Sequence, residues 1–330
     1  MSLMFLLAGL FTPPSLSRKG SLAYFSDRWW RIGLPFFLAA GTLSPLAYYA
    51  SFRLTAIDPS LAAFWEHWLA LPMWPSGPAW FLWQLFVLSA LAAVLHACAP
   101  QSMQALDRLA GRYDDRPFAF FVLLIALSAV VYVPAAMVFS AWDWTRFGPF
   151  SVQTCRVLHY AVYFFAGFAL GNRGVDHGLL KSDGPLARHW LILLAVAIVA
   201  NLLWGGLTSL TLPDWNASSL AARLAAASAF PPACAAGALS LLAIALRLMR
   251  FRDRMLGSLS SNAYGIYLLH YVAVVWLQYA LLATSLPAIA KGAIVFAAAL
   301  LLSWAASAGL KMLLALLPGL PGRGAIADQR

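Results

Sequence analysis

Eight apolar stretches, each near the length of a membrane-crossing helix, constrain this chain more than any other feature of its sequence. A helix needs about 20 apolar residues to cross about 30 Å of hydrocarbon. Hydrophobic residues make up 62% of the 330 residues and charged residues only 10%, so a soluble protein could not bury this much apolar surface. The sequence therefore predicts an all-α class, a polytopic transmembrane helix bundle in a lipid bilayer, and excludes a disordered scaffold and a soluble nucleic-acid binder. The stretches lie at about 32–52, 79–98, 118–141, 157–171, 190–210, 221–246, 260–284 and 289–317.

Lysine and arginine are distributed unevenly between alternate loops. Of the 22 basic residues, 17 fall on one side and 5 on the other, and the positive-inside rule makes the richer side cytoplasmic. This predicts a multi-pass membrane protein with a cytoplasmic C-terminus and a short cytoplasmic tail at 318–330. The basic residues on the outer side are Arg53, Arg146, Arg156, Arg223 and Lys291.

A ninth apolar segment, residues 1–11, covers only about 17 Å at 1.5 Å per residue, roughly half of a bilayer. If the segment 15–31 is cytoplasmic, Met1 starts on the outer side with no preceding charge. We therefore expect one further helix upstream, which would give ten spans with both ends inside, about nine of them present here. In this interpretation residues 1–330 are a single membrane domain, truncated at its N-terminus. The alternative is that Met1 is the true start and that the segment is re-entrant.

Two arginines in the first cytoplasmic segment are candidates for anion binding. Arg28 and Arg31 are three residues apart, so on a helical turn they point to one side at the inner membrane surface. Guanidinium groups offer bidentate donors and a permanent charge, which suit a polyphosphate. The alternative is ordinary positive-inside anchoring beside Trp29 and Trp30.

A histidine lies near the middle of the seventh stretch. From a helix start near Ser260, His270 lies about 15 Å into the membrane, and an ionisable group at that depth indicates a functional site. Histidine suits proton transfer near neutral pH, and Tyr264, Tyr267 and Tyr271 recur at helical spacing beside it. The alternative is a neutral histidine that forms a structural hydrogen bond to a tyrosine on another helix.

Aromatic residues crowd the outer side of the predicted bundle. Trp80 and Trp83 stand in a run whose prolines and glycine predict a turn at the mouth of a helix. Their indole rings could stack on sugar rings or belong to an interfacial belt. His159 follows Arg156 by three residues at the outer end of a span, where it could bind an anionic or hydroxylated group or form a simple interface pair.

No spacing in the sequence predicts a bound metal or cofactor. Cys98, Cys155 and Cys234 are far apart and form no C-x-x-C pair. A nucleotide-phosphate loop, a G-x-S-x-G elbow and an H-E-x-x-H helix are all missing from the sequence. The residues alone are typical of a transmembrane group-transfer enzyme or a transporter.

Several short motifs are similar, in order, to those of one family. They lie at 4–11 (the family's FFLLSG), 17–20, 28–35 (R-x-x-R-hydrophobic-x-x-P), 77–85 (GPLWFLW), 164–171 (FFxxGxxLG) and 264–270 (YxIYLxH). On these motifs the chain resembles the bacterial membrane acyltransferase 3 family, which includes O-acetyltransferases of surface polysaccharides and glucan succinyltransferases.

The resemblance implies ten core helices in the bacterial inner (plasma) membrane and a transferase that carries out polysaccharide modification such as O-acetylation. It implies acyl-CoA, typically acetyl-CoA, as a cytoplasmic co-substrate, and a hydroxyl of an envelope glycan or lipid-linked sugar as acceptor. A histidine would act as general base or acyl relay. The donor-site residues are then Lys19, Arg28 and Arg31, and the acceptor or structural residues are Trp80, Trp83, Tyr264 and Tyr267.

The family's catalytic histidine and the arginine before it lie on the first helix, which this chain lacks, and Ala8 stands where the second helix has serine. The catalytic residue is therefore unknown, and His270, which matches a different family position, is the remaining candidate. One alternative function is a glycan or lipid transporter, or a catalytically inactive partner subunit of the same fold. Another is a lipid- or protein-modifying acyltransferase centred on His270 or His159.

The expected upstream helix is tested by the intact mass of the protein made from its native locus. We expect a product about 3 kDa or more above 35.8 kDa, because one further span adds about 25–30 residues. A product that starts at Met1 would contradict this expectation.

Overall fold

The computed structural model describes residues 1–147, 150–174, 177–248 and 253–316, and most of them are helical. Helices suit a membrane interior because their backbone groups pair within one segment, and the predicted all-α class is confirmed. A hairpin of β1 (Trp144–Phe147) and β2 (Phe150–Gln153) is the one sheet in the described residues. The predicted tail at 318–330 lies outside the described residues. The helices are α1 (Ser2–Leu10), α2 (Thr12–Lys19), α3 (Ser21–Arg28), α4 (Leu34–Leu38), α5 (Ser44–Thr55), α6 (Leu61–Ala70), α7 (Trp80–Cys98), α8 (Pro100–Gly111), α9 (Pro117–Phe139), α10 (Val157–Gly171), α11 (Pro185–Arg188), α12 (Trp190–Thr211), α13 (Leu220–Leu248), α14 (Arg254–Leu281) and α15 (Ala288–Leu316).

Seven helical segments of the described chain are long and apolar enough to cross a membrane, as expected of a multi-pass membrane protein. Two predicted segments are shorter, since α10 has 15 residues and α1 has 9. The total of about nine segments therefore stays a prediction. The seven are Ser21–Thr55, Gly77–Cys98, Pro117–Phe139, Trp190–Thr211, Leu220–Leu248, Arg254–Leu281 and Ala288–Leu313.

The first long helix begins at Ser21, well before the predicted start near residue 32. Two π-helical turns, Trp29–Gly33 and Ala39–Leu43, interrupt it. Each turn ends two residues before a proline, Pro35 or Pro45. Proline has no N–H and its ring clashes with the carbonyl four residues back. The turn before each proline therefore widens into a π-helical turn. This explains why both π segments end just before a proline.

The chain divides into two compact units. The first unit comprises Met1–Leu34 and Phe81–Phe251, and the second comprises Pro35–Trp80 and Arg252–Arg330. In the first unit α1 packs on α10, and α12 packs on α13; in the second, α14 packs on α15 and on α5. The single domain expected from the sequence stays a prediction.

Loops of the first unit gather at two opposite ends of its helices. At one end, Arg156 before α10 lines the same small cavity as Thr208 near the end of α12 and Ala226 near the start of α13. At the other end, Asp114 before α9 lines a cleft with Arg188, which precedes α12. Helix α10 therefore runs from one end of the unit to the other although it is short, as the alternation of charged loops requires.

Glycines allow α1 and α10 to touch backbone to backbone. A Cβ added at Gly167 would overlap the carbonyl oxygen of Leu6, and one at Gly171 would overlap that of Leu10. On the other side of the contact, a Cβ at Gly9 would overlap the carbonyl oxygen of Phe164. Small residues four apart are typical of close helix pairs in membranes.

Gly167→Ala should destabilise the first unit, because the new methyl group meets backbone that cannot move aside without separating the two helices. We expect a loss of about 1–3 kcal/mol or more, measured by thermal unfolding of the purified protein followed by tryptophan fluorescence. Gly205→Ala is the matched control in a helix, since no atom lies within 4 Å of its added Cβ, and should be neutral or stabilising. Equal melting temperatures for Gly167→Ala and the parent protein would contradict the prediction.

Candidate functional site

A tight turn between α2 and α3 brings basic residues of the first segment together. Gly20 has φ 76° and ψ 165°, a conformation that is essentially restricted to glycine. Beyond this turn, the Nζ atom of Lys19 lies 3.1 Å from Oδ2 of Asp27, and Nε of Arg31 lies 2.9 Å from Oδ1. One carboxylate thus holds two of the three predicted donor-site cations.

The third cation, Arg28, lies on an aromatic ring. Its guanidinium carbon is 4.8 Å from the ring centre of Tyr24, and its Nε is buried with no hydrogen-bond partner in the described residues. Tyr24 is itself fully buried, with its hydroxyl 3.1 Å from Oγ1 of Thr12. Lys19, Arg28 and Arg31 therefore present three positive charges against the one negative charge of Asp27.

Asp27 is a site residue that sequence reasoning missed. The available signal was its spacing of four residues from Arg31, which is the spacing of ion pairs on a helix. Ser21 was missed as well: its Oγ lies 3.0 Å from Nδ1 of His96. That contact ties the start of α3 to the end of α7.

In the second unit, the predicted turn at 74–80 meets the predicted tyrosine face. The Tyr267 hydroxyl donates a hydrogen bond to the carbonyl oxygen of Pro78. The ring of Tyr271 packs against Gly77, where an added Cβ would lie 3.1 Å from a ring carbon. A small cavity is bounded by both tyrosines and by Ser44 and Ser76.

Within the described residues, His270 forms a hydrogen bond to its own helix, and its role stays a prediction. Its Nδ1 lies 2.6 Å from the carbonyl oxygen of Tyr267. A carbonyl can only accept, so Nδ1 carries the proton, and Nε2 of the neutral ring carries a lone pair.

The remaining predicted acceptor residues are divided between the units. Trp80 is half-buried at the start of α7 in the second unit, and Tyr264 in the same unit is exposed. Trp83 belongs to the first unit and stacks on Phe86 with ring centres 6.1 Å apart. Their role in acceptor binding stays a prediction.

His159 is held in the interior of the first unit. It is fully buried, with Nε2 3.1 Å from Oγ of Ser2 and Nδ1 2.5 Å from Oγ of Ser128. Rings of Tyr163 and Phe230 lie 4.9 Å from its own. Both nitrogens thus contact hydroxyls of the protein itself, which joins α1, α9 and α10. The serines could not be found from sequence, because they lie far from His159 along the chain.

Within the described residues, no group of three or more His, Cys, Asp or Glu side chains could hold a metal ion. Cys98 is exposed, Cys155 is buried, and Cys234 is half-buried. Burial raises the pKa of the Cys155 thiol, which disfavours the thiolate that metals bind.

Comparison with known proteins adds one match. The family model of an acyltransferase domain, acyltransferase 3, matches residues 1–308. This match includes the Lys19–Arg31 segment, His159 and the whole of α14. No curated protein and no solved structure matches the chain significantly.

Ser128→Ala should destabilise the protein because it leaves a nitrogen of the buried His159 without its hydrogen-bond partner. We expect a loss of about 1–3 kcal/mol in the free energy of unfolding, measured by denaturant titration in detergent. Ser209→Ala removes an exposed hydroxyl that bonds only its own helix and should change stability little. If the two variants were equally stable, Ser128 would not be a structural partner of His159.

Proposed function

Because the chain belongs to the acyltransferase 3 family, we propose that it is an integral-membrane O-acyltransferase. It moves an acyl group, in this proposal an acetyl group, from cytoplasmic acyl-CoA to a hydroxyl of an envelope glycan or lipid-linked sugar. The family assignment supports membrane acyltransferase activity in general. The surplus of positive charge in the Lys19–Arg31 segment is the observation that supports the choice of donor.

The donor is an anion with several phosphate groups, and this segment offers it three cations. Arg28 and Arg31 can each donate two hydrogen bonds to a phosphate, and Lys19 adds a compact charge. Asp27 keeps Lys19 and Arg31 near each other before the donor binds. Arg31 is largely exposed, so a phosphate can approach it without displacing protein.

The reaction breaks the C–S bond of the thioester and forms a C–O bond to the acceptor. The acceptor hydroxyl loses its proton, and the departing CoA thiolate gains one. A base at the hydroxyl makes this transfer faster, and Nε2 of His270 is the candidate base in this chain. Trp80, Trp83, Tyr264 and Tyr267 are the candidates for acceptor binding.

Arg28→Gln and Arg31→Gln should each raise the KM for acetyl-CoA roughly tenfold or more, because a hydrogen bond to a charged group contributes about 1.5–3 kcal/mol. The assay follows CoA release by mass spectrometry in membranes that contain the full chain and the envelope glycans. Arg18→Gln is the matched control. Arg18 directly precedes the Lys19–Arg31 segment and is exposed, and its substitution removes the same charge.

An unchanged KM in both variants would contradict the donor site. A parent protein that moves glycan without consuming thioester would contradict the enzyme itself and would indicate a transporter.

A further inference from the structure

Helix α6 (Leu61–Ala70) contains none of the candidate donor, acceptor or catalytic residues. It also lies outside the seven segments that are long and apolar enough to cross a membrane. The hydroxyl of Ser60 accepts a hydrogen bond from the backbone N–H of Ala63 and so caps the start of this helix. Asp58 accepts hydrogen bonds from the backbone N–H and the hydroxyl of Ser60. The connection from α5 thus starts α6 at a fixed point.

Ring contacts hold α6 beside the last two turns of α5. The ring centre of Phe64 lies 5.4 Å from that of Phe52, and the ring centre of Trp68 lies 5.8 Å from that of Tyr48. Both α5 residues belong to the first of the seven apolar segments. Since α5 ends at Thr55, Tyr48 lies about 10 Å from its end at 1.5 Å per residue. Helix α6 is therefore level with the outer end of this span, where hydrocarbon meets the head groups.

A stripe of large apolar side chains on α6 is left uncovered by the described residues. Leu61, Trp65 and Leu69 are 55%, 41% and 66% exposed, although Phe64 and Trp68 beside them are buried. A spacing of four residues places the three exposed side chains on one flank of the helix. Contact with acyl chains would remove this apolar surface from water, which is favourable. Tryptophan is also typical of the membrane interface.

The polar residues of α6 lie away from this stripe. At about 100° per residue, His67 points to the side opposite Trp65, and Glu66 lies between them. The ring of His67 packs 5.5 Å from that of Phe52, and Glu66 is exposed. The helix contains no lysine or arginine, so its attraction to a membrane depends on apolar burial and not on anionic head groups.

We propose that α6 is an interfacial helix embedded in the outer leaflet, with Leu61, Trp65 and Leu69 among lipid acyl chains and Glu66 toward water. The proposal does not depend on the proposed function.

The position of the stripe favours lipid over a protein partner. Leu54 near the end of α5 and Ile57 in the connection are exposed as well. Uncovered apolar side chains therefore continue from a membrane-spanning helix into α6. A surface that is level with the end of a span and continuous with it meets the bilayer before it meets any soluble protein.

The test measures how a nitroxide spin label on α6 collides with oxygen, which concentrates in hydrocarbon, and with a water-soluble nickel chelate. The full chain carries Cys98→Ser, which removes the exposed native thiol, together with one added cysteine, in nanodiscs of phosphatidylcholine. Labels at Leu61→Cys and Leu69→Cys should give an oxygen-to-nickel collision ratio about threefold or more above that of a label at Glu66→Cys.

Reference positions calibrate this ratio. A label at Val130→Cys, on an exposed residue in the middle of α9, should report lipid. A label at Lys181→Cys, in an exposed loop that the charge count places in the cytoplasm, should report water. The Cys98→Ser chain without an added cysteine measures any labelling of the less exposed Cys155 and Cys234.

Variants show what holds the helix in place. Leu61→Gln combined with Leu69→Gln should lower the ratio of a label at Trp65→Cys about threefold or more, because two apolar side chains no longer anchor the helix. Glu66→Gln is the matched control on the same helix and should leave this ratio unchanged. Nanodiscs that also contain phosphatidylglycerol should give the same ratios, because α6 has no basic residue.

Three results would overturn the proposal. Stripe labels that meet nickel as often as the Glu66→Cys label would mean that α6 stands in water. Stripe labels that meet neither reagent would mean that a protein surface, such as a second copy of the chain, covers the stripe. A Glu66→Cys label with the ratio of Val130→Cys would mean that hydrocarbon surrounds the whole helix. No acyl donor or acceptor is present, so failure of the proposed acyl transfer cannot change these readings.

Discussion

The backbone contact between α1 and α10 determines where the other important groups of the first unit lie. Gly9, Gly167 and Gly171 let the two helices approach until carbonyl oxygens fill the space that a Cβ would take. The N-terminal end of this contact places Ser2 on His159. Its C-terminal end leads directly into α2 and the Gly20 turn, where the cations gather. A shift of α1 along α10 would therefore disturb the buried histidine and the cation segment together.

The two ends of the first unit treat their charges differently. At the end rich in basic residues, two arginines have carboxylate partners: Arg173 lies 2.7 Å from Asp114, and Arg247 lies 3.6 Å from Asp183. At the opposite end, Arg156 lies among aromatic rings instead.

Local patterns in the sequence predicted the parts of the structure that local forces determine. Apolar runs located the long helices, and the prolines and glycine of 74–80 located the turn that Tyr267 contacts. The Gly20 turn and the ion pair of Asp27 with Arg31 were also within reach of local rules. The contacts of His159 were not, because Ser2 and Ser128 meet it only when three helices pack.

Helix α10 is too short to cross a bilayer of ordinary thickness. Its 15 residues measure about 22 Å at 1.5 Å per residue, less than the 30 Å or so of a bilayer interior. Arg156 precedes this helix and Arg173 follows it, and charged groups at both ends do not remain in hydrocarbon without cost. The membrane must therefore be thinner here, or water must reach inward. In either case, the acyl group of the proposed reaction, passing from a cytoplasmic donor to an outer acceptor, would cross a shorter apolar distance beside α10 than beside the 29-residue α13.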